Sequence, residues 1–487
     1  MRDDHNESRA TRRQFFGRCG VGLAPLALAS LLDDEAVGGE ALGGTSAQGG
    51  LPAIESPTGA RMPHFASRAK RVIFLYMLGG PSQLDLFEPK TELAKHDGEP
   101  IPESFLKGVK FAQIQEKQPR LMGSPWKFAR RGQSGLDVSE LLPHTAGIVD
   151  RLSIVKTFRS DDTNHLFAEL QINTGWRQFG RPSMGSWVAY GLGSESRDLP
   201  GFTVLLSGMP PRAKSANYAT GFLPSAYQGV PLRSGGEPIL NLTSPAGFSP
   251  QRQRRTIDAV NALNTRRLEE TGDPEIAARI AAYEMAFRMQ ASAPELLDLS
   301  GETEATLSQY GIADRSQPSF ARNCLLARRL VERGVRFVQL FHGDWDHHSH
   351  LGTGLPNQCR QTDQPSAALV ADLAARGLLD DTLVVWGGEF GRSSVAQGPK
   401  DANVGRDHNI AAFTMWLAGG GVKAGQTIGT TDEFGCAATS DSFHIHDLQA
   451  TILHLLGLDH KRLTYRFQGR DFRLTDVHGN VIEKLLA

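Results

Sequence analysis

The sequence predicts an α/β fold with a mostly parallel central sheet and helices on both faces. Three observations carry this. Residues 70–78 (KRVIFLYML), 335–341 (VRFVQLF) and 383–386 (LVVW) are continuous apolar runs, the pattern of strands covered on both faces. A helical segment at 363–376 links the second run to the third, a βαβ unit that should be right-handed and parallel. Polar residues cluster just beyond each run, where open α/β sheets gather their ligands.

The totals bound this picture. A chain of 487 residues has room for one large α/β domain with insertions or for two domains. Net charge is −1, so the balance offers no footprint for nucleic acid or an anionic membrane surface. The cysteines Cys19, Cys324, Cys359 and Cys436 make no metal-type spacing, and the last three allow at most one bridge.

At the start, Thr11-Arg12-Arg13-Gln14-Phe15-Phe16 precedes a weakly apolar run at 21–32 that is too short to span a bilayer. This is a twin-arginine pattern and predicts export to the periplasm or beyond, with residues 1–37 as signal region. No other stretch has transmembrane length and hydropathy. Residues 38–66, rich in Gly, Ala, Ser and Pro, read as a flexible linker. Residues 67–487 then form a single α/β domain with an insertion at about 199–317.

Within that domain residues 70–78 make the first core strand and feed GGPSQLDLFEPK, which places Ser82, Asp85 and Lys90 at a strand end. Ser82 and Asp85 serve equally well as turn or helix caps. Residues 142–149 read as a short helix with Pro143 in its first turn, and 152–158 as a strand. In 159–175 a polar loop gives way to a helix ending at Gly175. Its start puts Thr163, Asn164 and His165 where an anion could be held, or lets Asp162 or Thr163 cap it with His165 as a packed neighbour. Residues 199–247 show little periodicity and read as cover over the site instead of core. Helices at 252–268 and 274–289 form an outer hairpin, and one at 319–333 closes with Gly334. Asp363 should cap the helix between the second and third strands. A further strand at 411–417 and an apolar helix at 447–456 complete the order.

Histidines concentrate at His342, His347, His348 and His350, then His408, His444 and His446. A metal that activates water or an ester oxygen needs carboxylate and neutral imidazole ligands with one position open. Asp346 and His348, two apart, would point the same way on an extended segment, while Asp344 and His348 suit a tight turn. Glu389 is either a ligand or the partner of Arg392. Asp407 either orients His408 or binds beside it. For His444, His446 and Asp447, capping is the simpler explanation.

Taken together, the twin-arginine start, GGPSQLDLFEPK, Trp345–His348, GGEFGR, GRDHN, LAGGGVKAGQTIGTTDE and the C-terminal HDLQATILHLLGLDHKRLTYRFQGRDFRLTDVHG resemble the exported bacterial family called domain of unknown function 1501. That family is in turn similar to the sulfatase and alkaline phosphatase superfamily. The resemblance implies an exported metal-dependent hydrolase of phosphate or sulfate esters, on a small-molecule or carbohydrate substrate. The cofactor it implies is a divalent ion: Zn, Ca, Mn or Mg. Laid on this chain, it makes Asp346 or Asp344 with His348 and His408 one metal site, with Glu389 standing for the acid at the end of the intervening strand. Phe390 stands where a histidine belongs. The second metal lacks its strand-end acid at Gly79, leaving Asp85 as substitute, and Thr163 is the hydroxyl nearest a nucleophile's place, with His165 beside it and Arg392 to pair with the anion. These departures motivate the alternative of a metal-binding or surface-assembly protein without turnover.

Overall fold

The computed structural model describes residues 58–106, 110–233, 239, 249–399 and 401–487. The signal region, most of the linker and residues 234–238 and 240–248 of the expected insertion lie outside them.

In chain order the principal elements are β1 (Arg71–Met77), β2 (Leu152–Arg159), α1 (His165–Thr174), α2 (Met184–Leu192), β3 (Phe202–Ser207), β4 (Val230–Leu232), α3 (Pro250–Thr271) and α4 (Pro274–Leu297). Then follow α5 (Phe320–Glu332), β5 (Phe337–His342), α6 (Leu351–Ala375), β6 (Thr382–Gly387), β7 (Gly391–Gln397), β8 (Gly405–Asn409), β9 (Phe413–Ala418), β10 (Gln426–Ile428), β11 (Phe443–His444) and α7 (Ile445–Leu455). The main sheet has the order β10-β2-β9-β6-β1-β5-β3-β4, with β11 also paired to β2. β9 runs antiparallel to β2 and β6; the remaining ladders are parallel.

β1 shows why this sheet forms. Alternate side chains leave opposite faces of a strand. Ile73, Leu75 and Met77 enter one apolar cluster, with Leu325 and Leu330 of α5 and Leu369 and Leu373 of α6. Val72, Phe74 and Tyr76 enter the other, with Ile172 of α1, Trp187 of α2 and Ile452 of α7. A strand apolar on both sides needs helices on both sides. β5 and β6, joined by α6, flank β1 in parallel, so the three strand ends come out side by side.

Several local expectations are corrected. Residues 199–247 do not lie wholly over the site: β3 is an inner strand paired along its length with β5, and Phe202, Val204 and Leu205 are buried. Gly, Pro and Ser on either side mask the FTVLLS run in the sequence. The expected insertion at 199–317 therefore begins with two strands of the sheet. α6 starts at Leu351, a dozen residues before Asp363, and runs through Pro356 and Pro365. Asp363 caps a different segment: its carboxylate accepts the His144 and Thr145 N–H groups at 2.7 and 2.8 Å. The short helix expected at 142–149 is instead two 3-10 turns, Thr145–Gly147 and Val149–Arg151. As expected, α3 and α4 form an outer hairpin, α3 burying no residue. His444 caps α7 reciprocally with Asp447.

Candidate metal centre

The carboxyl ends of β1, β2, β5 and β6 deliver one cluster. His165 is the first residue of α1, which follows β2. Asp346 and His348 lie in the turn after β5, and Glu389 follows β6. His408 comes from β8, which pairs antiparallel with β7, with an irregularity between Arg406 and His408. His165, Asp346, His348 and His408 each offer a ligand atom, and these atoms lie within 4.8 Å of one another.

The three imidazoles are held alike. Nδ1–H of His165 donates to Glu389 Oε1 at 2.6 Å. That of His348 donates to the Gln397 side-chain carbonyl at 2.5 Å, and that of His408 to the Thr163 backbone carbonyl at 2.6 Å. Each outer acceptor fixes the tautomer with the proton on Nδ1, leaving the Nε2 lone pair facing inward. Asp346 faces them: Oδ1 lies 3.0 Å from His348 Nε2 and 3.4 Å from His408 Nε2, and Oδ2 lies 3.0 Å from His165 Nε2. His165 Nε2 is buried yet outside hydrogen-bond geometry with any partner. Lone pairs converging on a carboxylate repel unless a cation lies between them, and three neutral imidazoles with one carboxylate are a transition-metal donor set. The residues present fit such an ion.

With no ion between them, the groups around Asp346 hold it in its charged form. Burial pushes the Asp346 carboxyl up, but His165, His348, His408 and Arg392 outweigh it and hold the pKa well below the usual carboxylate range. Burial drives His408 down to about 4, so its ring is neutral at physiological pH. Burial also lowers His165, but the carboxylates of Asp346 and Glu389 overcome it and raise its pKa. Without a metal, therefore, a proton is drawn to the place the ion would take.

Gly79 makes room for this arrangement. It follows β1 at φ +112°, and a Cβ there would come within 2.5 Å of Asp346 N. Its own N–H donates to Glu389 Oε1 at 2.9 Å. Tyr76 O–H donates to Glu389 Oε2 at 3.1 Å, so the carboxylate is fixed from two sides before it orients His165. Phe390 packs its ring against His165 and His408, with centroids 4.8 and 4.3 Å apart, and forms an apolar floor beneath them.

Other expected residues take different places. Glu389 is outside the ligand group and accepts the Nδ1–H of His165, which is within it. Asp344, exposed and at φ +76°, turns away to accept the Met209 N–H at 3.3 Å. Asp407 neither orients the His408 ring nor joins the cluster: its Oδ2 accepts the Gln113 and Ile114 N–H groups at 2.8 and 2.9 Å. Asp85 is sealed in an ion pair with Arg406, Nε to Oδ2 2.8 Å and Nη2 to Oδ1 3.0 Å, both side chains fully buried. Arg392 is buried as well; it donates to Asp346 Oδ1 at 2.7 Å and to the Gly80 carbonyl at 2.9 Å, leaving no free edge for an anion. Asn164, not Asp162 or Thr163, caps α1 by accepting the Leu166 N–H.

The cluster floors an open cavity of about 280 Å³ whose walls include Gln113, Thr163, Asn164 and Arg212. Arg212, which carried no signal in the sequence, donates to Asp346 Oδ2 at 2.8 Å with about half its side chain exposed. Gln397 and Arg406 were equally silent, since nothing local marks a glutamine or arginine that reaches across a fold.

A search of curated proteins returns no match. Among solved structures, the lipoteichoic acid synthase LtaP from Listeria monocytogenes is similar at 11% identity and a TM-score of 0.36, covering 86% of this chain and 78% of that one. Alkaline phosphatase from the Antarctic bacterium TAB5 is similar at 9% identity and 0.35, covering 80% and 99%. An alkaline phosphatase superfamily protein from Vibrio parahaemolyticus is similar at 11% and 0.36, covering 88% and 74%. Likeness at this level carries no inference about chemistry. The family model of proteins of unknown function designated DUF1501 matches residues 69–486, nearly the whole described chain, and the chain belongs to that family.

Proposed function

We propose that this protein is an exported, metal-dependent hydrolase of phosphate or sulfate esters, its 67–487 region acting as one catalytic domain. The observation that carries the reading is the convergence of three Nε2 atoms and one carboxylate at the floor of an open cavity with Arg212 at its wall. His165, Asp346, His348 and His408 would hold the ion. Such an ion, when bound, polarises an ester oxygen and lowers the pKa of water.

The chain's own residues do the rest. Arg212 would pair with the anionic ester through its exposed guanidinium. Asn164 uses its side-chain oxygen to cap α1, which leaves its amide N–H groups for the ester. Thr163 lines the same wall. Gln113 Nε2 lies 3.2 Å from His348 Nε2, while its Oε1 accepts from Gln397 at 2.8 Å. With the His348 lone pair engaged, the Gln113 amide is free to donate to substrate.

Zinc suits the nitrogen-rich donor set better than calcium or magnesium, which prefer oxygen. The twin-arginine leader supports export, and among the described residues no helix is long and apolar enough to cross a membrane. The burial of Asp85 against Arg406 favours a second reading, a metal-binding protein without turnover, because it removes the substitute acid for a second metal. Assay of metal-loaded protein on aryl phosphates and sulfates decides between them. Hydrolysis abolished by His348→Ala supports the first; no hydrolysis with any divalent ion supports the second.

A further inference from the structure

Outside the ligand group, in the wall of a neighbouring cavity of about 210 Å³ that Arg212 and Asp346 also line, lies a buried carboxylate. Glu169 is four residues after His165, one turn further along α1, and is 2% exposed. Oε1 accepts the Arg212 N–H at 3.2 Å; Oε2 accepts the Ala213 N–H at 3.1 Å and Asn217 Nδ2 at 2.9 Å. Its partners are thus amide groups of the loop that follows β3 and carries Arg212. Burial, and next the charge of Glu389, raise its pKa, while these amides work to keep it ionised.

The network extends further. Asn173 Nδ2 donates to the Glu169 carbonyl at 2.8 Å and to Asn217 Oδ1 at 3.3 Å, and Gln339 Nε2 donates to Asn173 Oδ1 at 2.6 Å. Asn173, Asn217 and Gln339 are all buried. Gln339 belongs to β5, which delivers Asp346. One polar network therefore ties together α1 with His165, β5 with the Asp346 turn, and the loop with Arg212. A buried carboxylate is costly where uncharged groups would serve for packing alone. An acceptor-only group with two oxygens is what a cluster of loop N–H donors requires; a glutamine would turn its own N–H₂ toward one of them.

We infer that Glu169 is a positioning residue that sets the Arg212 guanidinium over the metal centre, so that anion affinity depends on it while metal affinity does not. The inference rests on the reading of Arg212 as the group that pairs with the ester. The test is a double-mutant cycle on the full, metal-loaded protein, with inorganic phosphate as probe, calorimetry for its affinity and elemental analysis for metal content. Glu169→Gln should weaken phosphate on the order of tenfold, the loss of one hydrogen bond to a charged group, with metal content unchanged. Arg212→Ala should weaken it at least as much. The double variant should be no weaker than Arg212→Ala alone, because Glu169 acts through Arg212. Asn217→Ala, which removes one of the amide partners, should shift phosphate affinity in the same direction and serves if Glu169→Gln does not fold. Additive losses, unchanged phosphate affinity in Glu169→Gln, or loss of metal from it would overturn the inference and leave the ester-hydrolase reading standing. Metal-loaded wild type with no affinity for phosphate or sulfate would overturn both.

Discussion

Asp346 gathers five basic groups: His348, His408 and Arg392 around Oδ1, and His165 and Arg212 around Oδ2. The two guanidinium groups pair with this carboxylate directly, while the three imidazoles turn Nε2 lone pairs toward it, and a cation between those lone pairs and the carboxylate is the simplest completion of the site. The outer acceptors carry their own prediction. Glu389→Gln puts an amide where His165 Nδ1–H needs a carboxylate, and metal affinity should fall about 10- to 100-fold in a competition titration with a chelating dye. Asp85 answers a different question. Its ion pair with Arg406 has both members fully buried, so Asp85→Ala strands a buried guanidinium and should cost about 3–5 kcal/mol in denaturant unfolding. A direct role at the reacting centre would instead cost activity and leave stability intact. At this scale the sequence was partly legible. Asp346, His348 and His408 stand in polar clusters beyond apolar strands, whereas His165 could equally be a packed neighbour of a helix cap. Arg212 and Glu169 could not be read at all, because their partners are distant in sequence and meet only through the sheet.

Two elements show how local backbone serves the site. The turn after β1 passes under the Asp346 segment at Gly79, whose φ of +112° and missing Cβ are both required. Gly79→Ala should add on the order of 1–3 kcal/mol of strain and also displace Asp346, lowering the melting temperature and the metal content together. The head of α7 gives a pH prediction. Burial lowers His446 from its ordinary 6.5 to about 4, and neighbouring His444 and His478 act in the same direction. The folded pKa lies below the unfolded one, so the unfolded chain binds more protons between about 4 and 6.5, and stability rises with pH across that window. Chemical unfolding at steps from pH 7 to pH 4 should show stability falling. His446→Gln keeps a donor for the Gly175 carbonyl, which His446 Nε2 meets at 3.0 Å, and should flatten the slope. Elements with strong periodicity were legible, α5 to within one residue at each end and α7 to within two. β3 was not, because a six-residue strand among Gly and Pro gives too short a signal against its flanks, and α6 was cut short because Pro356 and Pro365 suggest breaks that its surroundings override.

Across the whole molecule, the parallel strands point their carboxyl ends at one place and the helices cover both faces, so the fold could be read from three apolar runs and the segment between two of them. What composition could not show is that the site draws on both halves of the chain: His165 and Arg212 come from one, Asp346, His348 and His408 from the other. Metal binding should therefore stabilise the domain as a unit, raising its unfolding midpoint with ion concentration as mass action requires. The most direct test of the central claim is elemental analysis of full-length protein purified without chelator or nickel affinity, beside His348→Ala and Asp346→Ala. We predict close to one divalent transition metal per wild-type chain and a small residual fraction in either variant. Wild-type protein that retains no ion, even after incubation with zinc, manganese, calcium or magnesium, would contradict it.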